Sequence, residues 1–189
     1  MRGRVLQFDT IKTQKSIFKY ERVKMNYVLD VQYNGDSDGL VACIGFKNWN
    51  DKKASYSKTH FIEEIEPYEA GSFYKRELPC LLEALKDLND IECVVVDGYV
   101  WLGETTHHGL GMHLYNALGQ SVPIIGVAKT PFLGTPKNCE ILRGESIKPL
   151  FVTSINIELE EAKNSILQMH GKYRIPTLLK EVDSLCRGK

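Results

Sequence analysis

The amino-acid sequence predicts one α/β domain in which helices flank a mixed β-sheet. The chain has 189 residues, 43% of them hydrophobic, which is enough apolar surface for a single substantial core. Three strand-like segments come first, and helix-like and strand-like segments alternate after them. Neither an apolar run of membrane-spanning length nor a secretory signal is recognisable. We therefore expect a soluble, cytoplasmic protein without a membrane segment, acting as a monomer.

The first predicted part of the core is an antiparallel meander. Segments rich in branched and aromatic residues predict strands over 26–33, 39–46 and 54–63. Asn34-Gly35-Asp36 and Asn48-Trp49-Asn50-Asp51 separate these segments and have the composition of turns. Since short turns join neighbouring antiparallel strands, the three segments are expected to lie side by side.

Helices and buried strands follow the meander. Apolar residues at nearly helical spacing predict four helices, over 71–88, 108–118, 158–169 and 176–186. Two short apolar runs, 93–97 and 123–128, are typical of strands buried on both faces. An antiparallel meander followed by this alternation is the arrangement of ribonuclease H-like folds, which is the fold that we predict.

Charge is balanced over the whole chain but uneven along it. The sequence contains 24 basic and 24 acidic residues, which counts against a nucleic-acid binder because such proteins usually carry a basic footprint. Residues 1–24 nevertheless hold seven Lys or Arg residues against only Asp9 and Glu21. We therefore divide the chain into a basic N-terminal extension, 1–25, and a main domain, 26–189. The extension is interpreted as a basic arm, an added edge element or sequence upstream of the true start.

Three carboxylates are candidates for a metal site. Asp30 lies within the first apolar strand and Asp97 ends the strand over 93–97, where burying an unpaired carboxylate is costly. Glu77 lies in the first predicted helix, which would pack across those strands. If the two strands are neighbours, the three acids can converge on Mg²⁺, an ion that prefers carboxylate ligands and assists phosphodiester hydrolysis. A capped or solvent-edge carboxylate is an equally good interpretation of any one of them alone.

The cysteines do not provide an alternative metal site. All five are widely spaced, without a Cys-x-x-Cys pair and without a histidine at zinc-ligand spacing. We interpret them as reduced thiols.

Six segments resemble motifs of the endonuclease V family and follow the family's order. The strongest is Pro67-Tyr-Glu-Ala-Gly-Ser-Phe-Tyr-Lys-Arg-Glu77, which is similar to Pro-Tyr-Ile-Pro-Gly-(x)₄-Arg-Glu without a gap. Leu29-Asp30-Val31-Gln32-Tyr33 is similar to Asp-Val-Ser-Tyr, and Val94-Val-Val-Asp97-Gly98 to Val-Asp-Gly. The other three segments are 109–114, 125–129 and 173–176. Together they cover nearly all of residues 26–189.

The resemblance implies a metal-dependent endonuclease of nucleic-acid repair. Such an enzyme hydrolyses a phosphodiester on the 3′ side of a deaminated purine, inosine or deoxyinosine, in DNA or RNA. Asp30, Glu77 and Asp97 would be the ligands of Mg²⁺, with Mn²⁺ as the alternative ion, and these are the acids already selected from their positions. Lys129 would be a catalytic or phosphate-contacting cation, although by itself it resembles a solvated loop lysine.

The resemblance also implies three contacts with the nucleic acid. Tyr68 would belong to a wedge that holds the duplex open while the damaged base turns into a pocket, at a cost that is least where pairing is already weak. Gly71 and Gly98 would let backbone amides approach the flipped base. The ordinary roles of a turn or helix-start residue stay open for both glycines.

The chain departs from the family motifs at three places. Glu69-Ala70 replaces an apolar Ile-Pro at the wedge tip and introduces a negative charge where the nucleic acid must pass. The family's Ser-x-Gly-His histidine is absent from 151–158, where Ser154 and Asn156 stand nearest. The family's His-Pro-Arg is absent as well. His107 and His108 either replace it in space or are ordinary surface residues. Trp101, in the same stretch, is interpreted as a loop anchor, with stacking on a base as the alternative.

Two other functions are compatible with these departures. The first is a binding module of the same fold that retains the lesion pocket but cleaves weakly or not at all. The second is a ribonuclease H-like nuclease for structured nucleic acid that does not recognise inosine.

Overall fold

The computed structural model describes residues 23–35, 37–67, 69, 71–104 and 107–189, and its core is a seven-stranded mixed sheet. The strands in this part of the chain are β1 (Met25–Asn34), β2 (Asp38–Phe46), β3 (Tyr56–Ile62), β4 (Ile91–Asp97), β5 (Trp101–Leu102), β6 (His107–His108), β7 (Ile124–Ala128), β8 (Glu140–Ile141) and β9 (Leu150–Ile155). The α-helices are α1 (Phe73–Leu85), α2 (Leu110–Ala117), α3 (Leu159–Gln168) and α4 (Thr177–Cys186).

The large sheet has the strand order β3-β2-β1-β4-β7-β9-β8. β1, β2 and β3 form the predicted antiparallel meander, and β4 and β7 join it in parallel. β9 pairs antiparallel with β7, and β8 pairs antiparallel with β9. β5 and β6 form a separate short hairpin. The prediction of a mixed α/β sheet flanked by helices is therefore confirmed.

The sequence pattern does not predict β9. The stretch 151–158 is expected to follow the last core strand, whereas 150–155 is itself a strand of the sheet. Its apolar run is short, because Thr153 and Ser154 follow Val152, and it therefore lacks the continuous apolar pattern of β4 and β7. The antiparallel pairing with β7 identifies it as a strand.

Side chains alternate between the two faces of the sheet, as they do along any strand. Val28 of β1 packs in the cluster that α3 and α4 cover, and Leu29 packs in the cluster that α1 and α2 cover. By the same alternation Asp30 lies on the α4 face. Val95 of β4 also belongs to the α4 cluster, so Asp97 lies on that face as well.

All five cysteines are buried and free, which agrees with their interpretation as reduced thiols. Within the described ranges, no helix combines the length and the apolarity that crossing a membrane requires. The boundary after residue 25 stays a prediction, because residues 1–22 lie outside the described part of the chain.

Candidate active site

The parallel pairing of β1 with β4 places two of the predicted acids next to each other. The pairing matches Leu29 with Val96, so Asp30 and Asp97 are the next residues in register on neighbouring strands. The strands that carry Asp30 and Asp97 are therefore neighbours, as the predicted metal site requires.

Lys129 reaches the same place from β7. Asp97 pairs with Val127, and Lys129 follows two residues later, on the same side of the strand. The Nζ of Lys129 donates a hydrogen bond to Oδ2 of Asp97 at 2.5 Å. Burial alone would lower the pKa of Lys129, but the hydrogen bond to Asp97 and its negative charge raise that pKa above its ordinary value. Lys129 is therefore a fixed positive charge beside the two aspartates.

A narrow cavity between the sheet and α4 contains Asp30, Asp97 and Lys129, and its remaining walls are apolar. Asp30 is 9% exposed and accepts a hydrogen bond from the backbone N–H of Val31 at 2.9 Å. Burial raises the pKa of Asp30 to about 6, with a further contribution from the charge of Asp97. Its carboxylate is thus held where negative charge is poorly solvated.

Glu77 approaches from α1, which covers the other face of the sheet. It is 6% exposed, and burial together with the charges of Asp30 and Asp97 raises the pKa of Glu77 to about 8. Glu77 does not line the cavity that contains the two aspartates. In the part of the chain that the structure describes, no three His, Cys, Asp or Glu residues converge closely enough to form a ready-made metal cluster. The three acids therefore share one electrostatic environment without forming a finished ligand set.

Arg76, the neighbour of Glu77, fixes α1 to the end of β1. Its guanidinium carbon lies 4.4 Å from the centre of the Tyr33 ring, and Nη2 donates to the carbonyl of Gly35 at 2.7 Å. Tyr33 lies at the end of β1 and Gly35 just beyond it. These contacts hold the first turns of α1, and with them Glu77, over the strand that carries Asp30.

A fourth carboxylate, Asp183 of α4, is not identified by the sequence pattern. Its negative charge makes a further, smaller contribution to the raised pKa values of Asp30 and Lys129. It lines the recess beside Lys129 and forms an ion pair with Arg187 at 3.1 Å. The helix is predicted, but an acid one residue after the buried Val182 is an ordinary feature of an amphipathic helix. Only the packing of α4 on β1 reveals its position.

Of the three residues predicted to contact the nucleic acid, the structure describes Gly71 and Gly98. Gly98 has φ +146°, which favours glycine, and open space lies where a Cβ would be. Gly71 has φ +81° just before α1, so its role as a turn residue is sufficient to explain it. Tyr68 lies outside the described residues. Glu69 accepts a hydrogen bond from the Nζ of Lys75 at 2.6 Å, which offsets the negative charge expected at the wedge tip.

The two histidines considered as replacements lie in the separate short hairpin. His107 and His108 are exposed residues of the β5-β6 hairpin and do not line the cavity with Asp30 and Asp97. The Nε1 of Trp101, in the same hairpin, donates to the carbonyl of Ser154 at 3.2 Å. This contact agrees with the interpretation of Trp101 as a loop anchor.

Ser154 and Asn156 lie toward the opposite end of the sheet. Ile155 of β9 pairs with Ile124, the first residue of β7, whereas Lys129 follows the last residue of that strand. Neither side chain is placed to act beside the aspartates. The missing histidine is therefore not replaced from this stretch.

The mixed sheet and its likeness to a solved structure of 29% sequence identity define the class of protein. The chain is an α/β nuclease with a ribonuclease H-like sheet. The sequence model of the family described as Endonuclease V matches residues 8–152. The chain belongs to the endonuclease V family and is an endonuclease that acts on phosphodiester bonds.

Relatives of this family match over most of the chain. Endonuclease V of Streptomyces avermitilis is 32% identical over 183 residues, which cover 84% of this chain and 77% of the relative. Endonuclease V of Streptomyces coelicolor is 32% identical over 184 residues, covering 85% and 76%. The crystal structure of the Streptomyces avermitilis protein superposes with a TM-score of 0.69 at 29% identity, covering 88% of this chain and 81% of that one.

A more distant structure shares the fold. Endonuclease V of Ciona intestinalis, in complex with a 24mer DNA containing an inosine followed by a ribo-adenosine, superposes with a TM-score of 0.70 at 21% identity. The match covers 91% of this chain and 87% of that one.

Proposed function

We propose that this endonuclease hydrolyses the phosphodiester on the 3′ side of inosine or deoxyinosine in DNA or RNA, using a divalent metal ion. The observation that carries this proposal is the placement of Asp30 and Asp97 side by side, within electrostatic reach of Glu77 and in contact with Lys129. Membership of the endonuclease V family supports the substrate, since the Ciona intestinalis relative binds inosine-containing DNA.

The donor set fits a hard divalent cation, which we propose to be Mg²⁺, with Mn²⁺ as the alternative. Asp30 and Glu77 are buried, and their raised pKa values reflect burial and mutual repulsion that a nearby cation would relieve. Carboxylate oxygens are the ligands that Mg²⁺ prefers. When bound beside a phosphodiester, such an ion supplies an activated water and stabilises the leaving oxygen. Asp30, Glu77 and Asp97 would hold the ion, with Asp183 beside them.

Lys129 would change its partner during the reaction. Its ammonium is bonded to Asp97, the residue proposed to bind metal. With the Asp97 carboxylate holding a cation, the ammonium would be free to contact the negatively charged scissile phosphate, as Lys does in many phosphate sites. The side chain is already 42% exposed, so a phosphate can reach it.

The lesion would be recognised by Tyr68, Gly71 and Gly98, with Tyr68 in the wedge and the two glycines next to the flipped base. The open space at Gly98 is compatible with a base approaching the backbone there. Inosine pairs weakly, so extruding it costs less than extruding an ordinary base, and part of the selectivity follows from that difference.

Cleavage assays on matched oligonucleotides test the proposal. With Mg²⁺, the purified chain should cut a deoxyinosine strand, an inosine RNA or both, and should spare adenine controls. Asp30→Asn should abolish cutting, whereas Asp87→Asn, at an exposed position after α1, should retain it. Binding of inosine strands without turnover in any divalent metal would favour a binding module. Equal cutting of lesion-free flaps would favour a nuclease for structured nucleic acid.

The basic segment 1–25 is proposed to bind phosphates of the nucleic acid. Seven Lys or Arg residues among residues 1–24 give it the charge for this role. Removing the segment should flatten the dependence of binding on salt, by slightly less than one unit of log K against log[salt] for each phosphate that the segment neutralises. An unchanged slope would exclude the role.

A further inference from the structure

A groove leads away from the cavity that contains the aspartates. Lys129, Ile175 and Leu179 line both this cavity and the next recess, which also exposes Tyr173 and Lys180. Tyr173 and Arg174 in turn line both that recess and a third one, which reaches Lys172. The three recesses are therefore adjacent, each sharing wall residues with the next. We call the part formed by Lys129, Lys172, Tyr173, Arg174 and Lys180 the basic groove.

The basic groove carries net positive charge on a protein that is neutral overall. In the second and third recesses four basic residues stand against two acids, Glu145 and Asp183. The first recess adds Asp30 and Asp97, the latter bonded to Lys129. Asp183 is already paired with Arg187 at 3.1 Å. The groove is therefore the kind of surface that attracts a chain of phosphates.

Two arginines hold the groove's wall rigid. The buried guanidinium of Arg143 donates to the carbonyls of Met169, Gly171 and Tyr173, at 2.7 Å for Tyr173. These bonds fix the loop between α3 and α4.

Arg174 fixes the same wall to the candidate active site. Its guanidinium donates to the carbonyl of Lys129 and, at 2.6 Å, to that of Pro149. The loop that carries Lys172 and Tyr173 is thus attached to the residue that contacts Asp97.

Tyr173 presents an aromatic ring on this rigid backbone. The residue is 67% exposed, although large aromatic side chains usually bury most of their surface. The Nζ of Lys172 lies 5.4 Å from the centre of its ring. An exposed ring beside lysines in a groove is the combination by which proteins bind single strands, with bases stacking on the ring and phosphates contacting the cations.

We propose that the basic groove binds an unpaired stretch of the nucleic-acid strand next to the scissile phosphate, with one base stacked on Tyr173. The proposal rests on the proposed function, because it needs the scissile phosphate at Lys129. It adds a binding surface outside the lesion site that does not depend on the identity of the base.

Equilibrium binding of a lesion-free single-stranded oligonucleotide by the full chain, without divalent metal, tests the proposal. Tyr173→Ala should weaken binding about five- to 150-fold, the range for loss of one stacked base, whereas Tyr173→Phe should stay within about twofold of wild type. Lys172→Gln and Lys180→Gln should each lower the salt slope by about 0.7. Phe61→Ala, which removes a ring 59% exposed on the edge strand β3, is the matched control and should bind normally.

Tyr173→Ala binding as tightly as wild type, or a wild-type chain that does not bind the strand, would overturn the groove proposal. Because the oligonucleotide has no inosine and is not cut, this result is independent of the cleavage assay. A chain that binds through Tyr173 but never cuts at inosine would refute the proposed function and leave strand binding by the groove intact.

Discussion

Among the individual residues of the site, Glu77 is unusual because its carboxylate is buried, where a negative charge is poorly solvated. A carboxylate that is 6% exposed and close to two others destabilises the metal-free fold, and burial followed by the charges of Asp30 and Asp97 raises its pKa to about 8. Functional sites commonly retain such unfavourable groups because the ligand needs them.

Replacing Glu77 should separate stability from activity. In EDTA, Glu77→Gln should raise the free energy of unfolding by about 1 kcal/mol, seen as a thermal midpoint about 2–4 °C higher, because the buried repulsion is removed. The same variant should lose cleavage and the stabilisation by Mg²⁺ that wild type shows. Glu83→Gln, on the same helix, should leave the midpoint and the response to Mg²⁺ nearly unchanged. A lower midpoint for Glu77→Gln would mean that the carboxylate supports the fold.

Lys129 allows a second prediction at this scale. Lys129→Met should lower kcat about 10²- to 10³-fold, as loss of one group that stabilises developing charge does elsewhere. The metal concentration for half-maximal activity should not rise, because removing the ammonium leaves Asp97 more available. Lys137→Met, an exposed lysine in the segment after β7, is the control. A large rise in the metal requirement would show that Lys129 organises the acids instead of serving the phosphate.

The residues differ in how far the sequence could predict them. Asp30 and Asp97 were identifiable because a carboxylate in an apolar strand conflicts with its surroundings. Asp183 has no such conflict in the sequence, since helices commonly carry acids beside a buried stripe. The roles of Asp30, Glu77, Asp97 and Lys129 stay predictions, although the structure brings them into one region.

At the scale of elements, the close packing of β7 against the segment after β4 positions Asp97. A Cβ on Gly126 would lie 2.7 Å from the carbonyl oxygen of Gly98 and 2.8 Å from the backbone nitrogen of Val100. Both neighbours are backbone atoms, so they cannot rotate away. Only glycine lets β7 approach the chain that leaves Asp97.

Gly126→Ala should therefore disturb both the fold and the site. We expect a loss of about 1–3 kcal/mol, typical of overpacking, together with weaker metal binding because the end of β4 is displaced. Gly119→Ala is the comparison: its φ of +69° brings backbone strain, but no atom lies within 4 Å of the added carbon. It should lower stability without changing metal binding. Normal metal binding by Gly126→Ala would show that this packing does not position the metal site.

The loop between α3 and α4 depends on Arg143 in a similar way. Arg143→Gln removes a buried charge that satisfies three carbonyls, so we expect about 3 kcal/mol lower stability and faster amide exchange over 169–173. Arg187→Gln, which breaks an exposed ion pair, should leave stability nearly unchanged. Unchanged exchange over 169–173 would show that the loop is held by other interactions.

The sequence predicts most elements because their apolar patterns are long. The meander and α1 to α4 follow from residue patterns, β4 and β7 follow from short continuous apolar runs, and all differ from the prediction mainly at their ends. β8 and the β5-β6 hairpin contain two residues per strand, too few to show a period. β9 is recognisable only from its pairing with β7.

At the scale of the whole molecule, the protein has no net charge, but its acidic and basic residues are unevenly distributed. Asp30 and Asp97 lie side by side on the central strands, and basic residues line the recesses beside them. The family match begins at residue 8, within the segment that we separated as a basic extension. Net charge alone counts against a nucleic-acid enzyme, and it misleads here because basic residues are concentrated locally although the total is zero.

A crystal soaked in Mn²⁺ and measured by anomalous scattering tests most directly whether the acids hold a metal ion. We predict a peak between Asp30 and Asp97, with carboxylate oxygens about 2.0–2.3 Å away, the Glu77 side chain turned toward it and the Nζ of Lys129 released from Asp97. Asp30→Asn crystals should lose the peak. A peak bound elsewhere, or density showing the three acids unmoved at saturating metal with the Lys129–Asp97 hydrogen bond intact, would contradict the claim.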